Sequence, residues 1–323
     1  MPQVLVGGVV TDPNAAPLVD QCRHRRASTE PAGDGSVSRF MPVSQRLRVG
    51  ERLAWLTVLL AAVAAAAGLA VPELYRDNEA MTAQAQSTDL ATLLVAVPAL
   101  AIGLWRARAG SIAGRLVGLG ALGYLVYAYV IFAFQVVINP ATPVYIAVLG
   151  LATWSLLLLL PSLRVATEHG AASRLPRWPT AAFFGLIVLA FGGLWLSEIA
   201  GAISSGTLPA SVSDLELPTA AVYALDLAFL LPAAMVGAVL LSRRSPLGPP
   251  LAVVLLVFTV AMALSILGLF VFQALRGMSI DPSLLIGFGV LTAIAAVLAA
   301  FGLRSPESVR HPAIPDSAVG VTR

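Results

Sequence analysis

Eight runs of about 20 mostly apolar residues recur along the chain, each long enough to carry a helix across a hydrocarbon core of about 30 Å. Inside such a core every backbone N–H and C=O must find a partner within the protein, which leaves the α-helix for single runs of this length. The chain is therefore expected to be all-α, a polytopic membrane bundle of eight transmembrane helices. The expected spans are about 53–72, 86–105, 116–138, 144–163, 181–201, 219–242, 250–273 and 284–303. Only 11% of the 323 residues are charged, against about a quarter in soluble domains, which excludes a water-soluble enzyme.

The few charges are ordered. All 20 basic residues are Arg, and between the expected spans they sort eighteen against two: only Arg76 and Arg276 fall on the side opposite the rest. By the positive-inside rule this predicts a multi-pass protein of the plasma (inner) membrane with both termini cytoplasmic. The net charge of +3 is then a topology signal, and no nucleic-acid partner is implied. Residues 1–50 lack a sustained apolar period and are expected to form a disordered cytoplasmic arm, and 305–323 a matching tail. The run Val4 to Val10 has no basic segment before it and meets Asp12, Pro13 and Asn14, so it does not read as a signal peptide; Met41 offers an alternative start just ahead of the first span.

An internal repeat divides the membrane region. Asp89-Leu90-Ala91 is echoed by Asp226-Leu227-Ala228, each followed by a proline, Pro98 or Pro232, and by a basic end, Arg106 or Arg243. Phe132-Ala133-Phe134-Gln135 is echoed by Phe270-Val271-Phe272-Gln273, and Asn139-Pro140 by Asp281-Pro282. The pattern predicts a tandem 4+4 parallel repeat, 51–164 and 165–304, the halves related by an axis along the membrane normal. Transporters with parallel repeats bind their substrates between such halves.

Ionisable and polar groups inside spans are costly and mark candidate sites. Asp226, Asp89, Glu198, Gln135, Gln273 and Tyr127 are the candidate ligand-binding residues, all on the side away from the Arg-rich loops. Asp226 lies too deep in its span to cap it and is expected to face a cavity. Asp89, after Ser87 and Thr88, also fits a helix cap, as do Asn139 and Asp281 before their prolines. Glu198 also fits helix pairing near the interface, and Gln135 and Gln273 interhelical hydrogen bonds. Tyr124, Tyr127, Tyr129 and Tyr145 concentrate phenols in the third and fourth spans, where they need either a polar cavity or packing partners.

Several chemistries are absent from the pattern. His24, His169 and His311 all lie outside the spans and Cys22 is the sole cysteine, so no metal, haem or other cofactor is expected and no catalytic set is identified. Gly118, Gly120 and Gly123 satisfy GxGxxG, but inside an apolar helix they read as close helix packing, as does the Gly114–Gly118 spacing.

The segments Leu74-Tyr75-Arg76-Asp77-Asn78 through Gln84, Asp89 and Pro98, and Leu225-Asp226 through Pro232 to Arg243-Arg244, resemble a conserved family of uncharacterised bacterial, actinobacterial multi-pass membrane proteins over about residues 50–305. The resemblance implies a bacterial membrane protein and no activity. Three functions fit the residues: a small-molecule or ion transporter or binding protein with an outward-facing polar cavity between the repeats, a structural or regulatory membrane subunit, and a lipid-modifying enzyme at the outer leaflet. Beyond the lipid bilayer, the expected partner is an unidentified small molecule or ion.

Overall fold

The computed structural model describes residues 43–71 and 73–304; the rest of the N-terminal arm with Cys22 and His24, the alternative start at Met41, and the C-terminal tail with His311 lie outside them. Among the described residues, eight helices are long and apolar enough to span a membrane, and none is a strand. They are α1 (Val43–Ala70), α2 (Glu79–Arg108), α3 (Ile112–Phe134), α4 (Thr142–Leu159), α5 (Arg177–Ser205), α6 (Ala221–Ser242), α7 (Gly248–Leu275) and α8 (Pro282–Leu303). A short helix, Ser162–Glu168, follows α4, and another, Ala210–Ser213, lies between α5 and α6. The all-α polytopic bundle read from the sequence is the fold observed.

Local chemistry sets the helix ends. Asn78 accepts the Met81 amide at 2.8 Å and starts α2 at Glu79, two turns before the expected boundary. Asp89 is consequently deep within the span and caps nothing. Asp281 does cap α8, accepting the Ser283 amide at 2.8 Å and its hydroxyl at 2.6 Å with Pro282 behind it, and these donors hold its carboxyl below the usual range. Asn139 accepts the Ala141 amide at 2.9 Å in the turn ahead of α4.

Two spans carry the same irregularity. Residues Thr92–Ala96 in α2 and Asp226–Leu230 in α6 form single π-turns, closed by Val97 N–H to the Thr92 carbonyl and Leu231 N–H to the Asp226 carbonyl. The cause lies one residue further on: Pro98 and Pro232 have no N–H to give, and their rings would meet the carbonyls of Leu94 and Ala228 in a regular helix. Widening the turn relieves both conflicts. On this frame the two spans correspond at an offset of 134 residues, so Asp226 matches Thr92 and Asp89 matches Tyr223. The two aspartates are nearly a full turn out of structural register.

Packing differs between the halves. In the first, α1 lies against α4 and α2, α2 against α3, and α3 against α4, closing a four-helix bundle. Glycines allow the close approach: a Cβ on Gly103 would stand 2.9 Å from the Gly114 carbonyl oxygen and the Gly118 nitrogen. The GxGxxG segment is thus a packing surface, and Gly120 in it meets α7, where a Cβ would lie 2.7 Å from the Val254 carbonyl oxygen. In the second half α5 packs on α6, α6 on α7 and α7 on α8, but α5 and α8 share no comparable packing. Helix α7 also runs along the first part of α2 and along α3, which makes it the seam of the molecule.

Candidate ligand cavity around Asp226

The missing α5–α8 packing leaves a cavity of about 300 Å³. Its walls come from α5, α6, α7 and α8, with Gln84, Ser87 and Thr88 of α2, Tyr127 and Ile131 of α3, and Gln135 just after α3 closing the remaining side. Aromatic and aliphatic side chains form most of the surface: Phe184, Phe191, Phe258 and Phe288 with Leu, Ile and Met neighbours. The expectation of a polar cavity is corrected here. The space is apolar, with polar groups gathered on one side.

Asp226 is the lone acidic residue of the lining and is only 6% exposed. Its Oδ1 accepts the Tyr127 hydroxyl at 2.9 Å and its Oδ2 the Trp195 indole N–H at 2.8 Å. Among the described residues no Arg lines the cavity. The π-turn begins at this residue, and turns of that kind recur at functional sites because they re-aim a side chain that a regular helix would place elsewhere.

Helices α5 and α6 exchange partners reciprocally. Trp195 donates from α5 to Asp226 on α6, and Tyr223 donates from α6 to Glu198 Oε2 on α5 at 2.5 Å. Each helix thus offers one aromatic donor and one carboxylate three residues apart, and antiparallel packing brings both pairs together. Ser211, from the short helix between them, adds a second bond to Glu198 at 2.8 Å. The Trp195 and Tyr223 rings lie 5.2 Å apart between the two pairs. Glu198 therefore pairs helices, and it does so through two residues, Ser211 and Tyr223, that line the cavity.

Asp89 stands elsewhere. It is fully buried in the first half, where it accepts the Tyr75 hydroxyl, and its Oδ1 has no hydrogen-bond partner. Burial, reinforced by Asp89, pushes the Tyr75 phenol far above its ordinary range, so Tyr75 serves as a donor. Gly68 of α1 makes the room: a Cβ there would collide with the Asp89 carboxyl and the Tyr75 hydroxyl. Tyr75, Phe132, Tyr129 and Tyr145 stack around this pair, with Phe132 and Tyr145 centroids 4.8 Å apart. Asp89 does not line the cavity, and it shares no hydrogen-bond partner with Asp226. A common site for the two aspartates is not what the chain builds.

Of the other sequence candidates, Tyr127 and Gln135 line the cavity and Gln273 does not. Among the described hydrogen bonds none joins Gln135 or Gln273 to another helix. That part is played by Gln86, whose side-chain oxygen accepts from Arg276 at 2.5 Å. The tyrosines divide: Tyr127 faces the cavity, while Tyr124, Tyr129 and Tyr145 are packing residues of the first half. Trp195, Tyr223, Ser211, Tyr75 and Gly68 were not among the candidates. The matched spacing of Trp195 to Glu198 and Tyr223 to Asp226 is the signal that would have found three of these groups.

Compared with known proteins, the chain matches no family model, no curated protein and no solved structure. Its chemistry must be read from the site alone. Among the described residues no group of three His, Cys, Asp or Glu could hold a metal ion. What the site presents is one nearly buried carboxylate, held by two donors, in the wall of an apolar space of ligand size.

Proposed function

We propose that this is a small-molecule binding or transport protein of the plasma membrane, with its ligand site in the cavity around Asp226. The carrying observation is that cavity: about 300 Å³, at the lower end of the range for ligand pockets, with a single oriented carboxylate in its wall. The Arg distribution supports cytoplasmic termini, and Asp226 precedes Arg243 by seventeen residues, about 25 Å of helix. The site then lies in the outer half of the membrane. The paired π-turns and prolines of α2 and α6 support descent from a tandem duplication, in which one copy kept a packed core around Asp89 and the other opened a cavity. The closed first half fits a scaffold for the second better than a second site.

Photolabelling tests the proposal. A small neutral alcohol bearing an aryl diazirine, irradiated with the purified protein in lipid nanodiscs, should leave adducts on cavity residues such as Tyr127, Trp195 and Met262. Ala234→Phe, which fills the cavity wall, should suppress those adducts while leaving the melting temperature within a few degrees. Adducts confined to outward apolar residues such as Leu189 and Ile286, and indifferent to Ala234→Phe, would contradict it.

A further inference from the structure

We infer that the ligand is a lipophilic monocation, an amine or an ammonium or phosphonium centre on an apolar body, and that it enters from the lipid between α5 and α8. The inference rests on the reading of the cavity as a ligand site and names what that site selects.

Charge gives the first argument. Both Asp226 oxygens are acceptors, one from an indole N–H that can only donate, and each carboxylate oxygen keeps further acceptor capacity in a residue that lines the cavity. A carboxylate in an apolar wall without a basic neighbour is costly, and a bound cation offsets that cost. Outside the lining, Glu198 has the same sign and is held by the lining residues Ser211 and Tyr223. An anionic ligand meets the like charge of Asp226 with no Arg among the described lining residues to offset it.

The surroundings narrow the class. Hard divalent cations need several oxygen ligands, and Asp226 has phenol, indole and hydrocarbon around it instead. Trp195 and Tyr127 stand on the carboxylate, and Phe258 packs edge-on against Tyr127 in the same lining, rings suited to cation–π contact with a poorly hydrated cation. The remaining apolar wall accommodates an apolar body.

The route follows from packing. Helices α5 and α8 both line the cavity yet share no packing comparable to that of their neighbours, so the wall between them is a layer of side chains in which Phe191 and Phe288 meet at 6.1 Å between centroids. The outer surfaces of both helices are apolar, with Leu189, Leu196, Leu284 and Ile286 exposed. A solute dissolved in the bilayer reaches this seam without crossing a polar barrier.

Radiolabelled tetraphenylphosphonium and its anionic isostere tetraphenylborate make the test, applied to the full chain in nanodiscs with empty nanodiscs as the blank. Saturable phosphonium binding, no saturable borate binding, and at least tenfold weaker phosphonium binding in Asp226→Asn are expected. Equal binding of the two ions, or phosphonium binding unchanged in Asp226→Asn, overturns the cation inference. If Ala234→Phe still abolishes binding in that case, the cavity reading survives alone; if Ala234→Phe alters neither ion, both fail. Should Asp226→Asn not fold, the two isosteres on the unmutated protein still decide. For the route, Phe191→Cys with Phe288→Cys in a Cys22→Ser background, bridged by a bismaleimide, should slow phosphonium association at least fivefold. An unchanged rate overturns entry between α5 and α8.

Discussion

Asp89 and Asp226 have the same side chain and opposite surroundings. Asp89 is sealed behind Gly68 with Tyr75 as its donor, so its contribution is to the packing of the first half. Tyr75→Phe should destabilise the protein by about 1–3 kcal/mol in reversible denaturant titrations, because it strands a buried acceptor. Tyr75→Phe with Asp89→Leu should recover much of that loss, since both partners then become apolar. Gly68→Ala drives a methyl into the same pair and should cost about 1–3 kcal/mol. None of these three variants should change ligand labelling of the cavity. Asp77, in the turn ahead of α2, gives a pH signature: burial raises its carboxyl above the ordinary value although the Val137 amide, at 2.9 Å, opposes this. The folded state then holds its proton to higher pH than the unfolded state, so stability falls as pH rises through that window. Asp77→Asn should flatten that acid-range slope in melting curves taken against pH.

At the scale of elements, the π-turns decide where side chains point. Pro232→Ala restores a backbone donor and lets the turn before it close toward a regular helix, which would rotate Asp226 by up to a residue's worth, about 100°. Phosphonium binding should weaken at least fivefold without a lower melting temperature, whereas Pro98→Ala, remote from the cavity lining, should leave binding intact. The α5–α6 exchange is a second element-level device. Trp195→Phe and Tyr223→Phe each remove a membrane hydrogen bond, about 0.6 to 2 kcal/mol, measurable by denaturant titration. The landmarks of the proposed repeat were legible in the sequence because prolines and aspartates are rare enough in apolar helices to stand out. Its register was not, because the aspartates recur at an offset of 137 and the prolines at 134, and only the backbone reveals that the π-turn travels with the proline. Asp226 was legible as a cavity residue from its depth in the span. Asp89 was misplaced because Asn78, eleven residues earlier, starts the helix.

For the whole molecule, apolar length dictated eight spans, and each overlaps its expected place, although α1 begins at Val43, ten residues ahead of its expected start and within the arm expected to be disordered. Length could not say which spans would pack. That depends on glycine contacts such as Gly103 with Gly114 and Gly118, and on the absence of any comparable seam between α5 and α8. The same molecule-wide view predicts topology: with Cys22→Ser as background, Ser173→Cys at the Arg-rich end should resist a membrane-impermeant maleimide in intact cells, and Ser279→Cys at the opposite end should react. The reverse pattern would place the cavity at the cytoplasmic side.

Trp195 reports directly on the central claim that ligand binds in the cavity at Asp226. In a variant that keeps it as the sole tryptophan, with Trp55, Trp105, Trp154 and Trp178 changed to Phe, tetraphenylphosphonium should change Trp195 emission along a saturable curve that disappears in Asp226→Asn. A linear, partition-like change of equal size in both proteins would contradict the account.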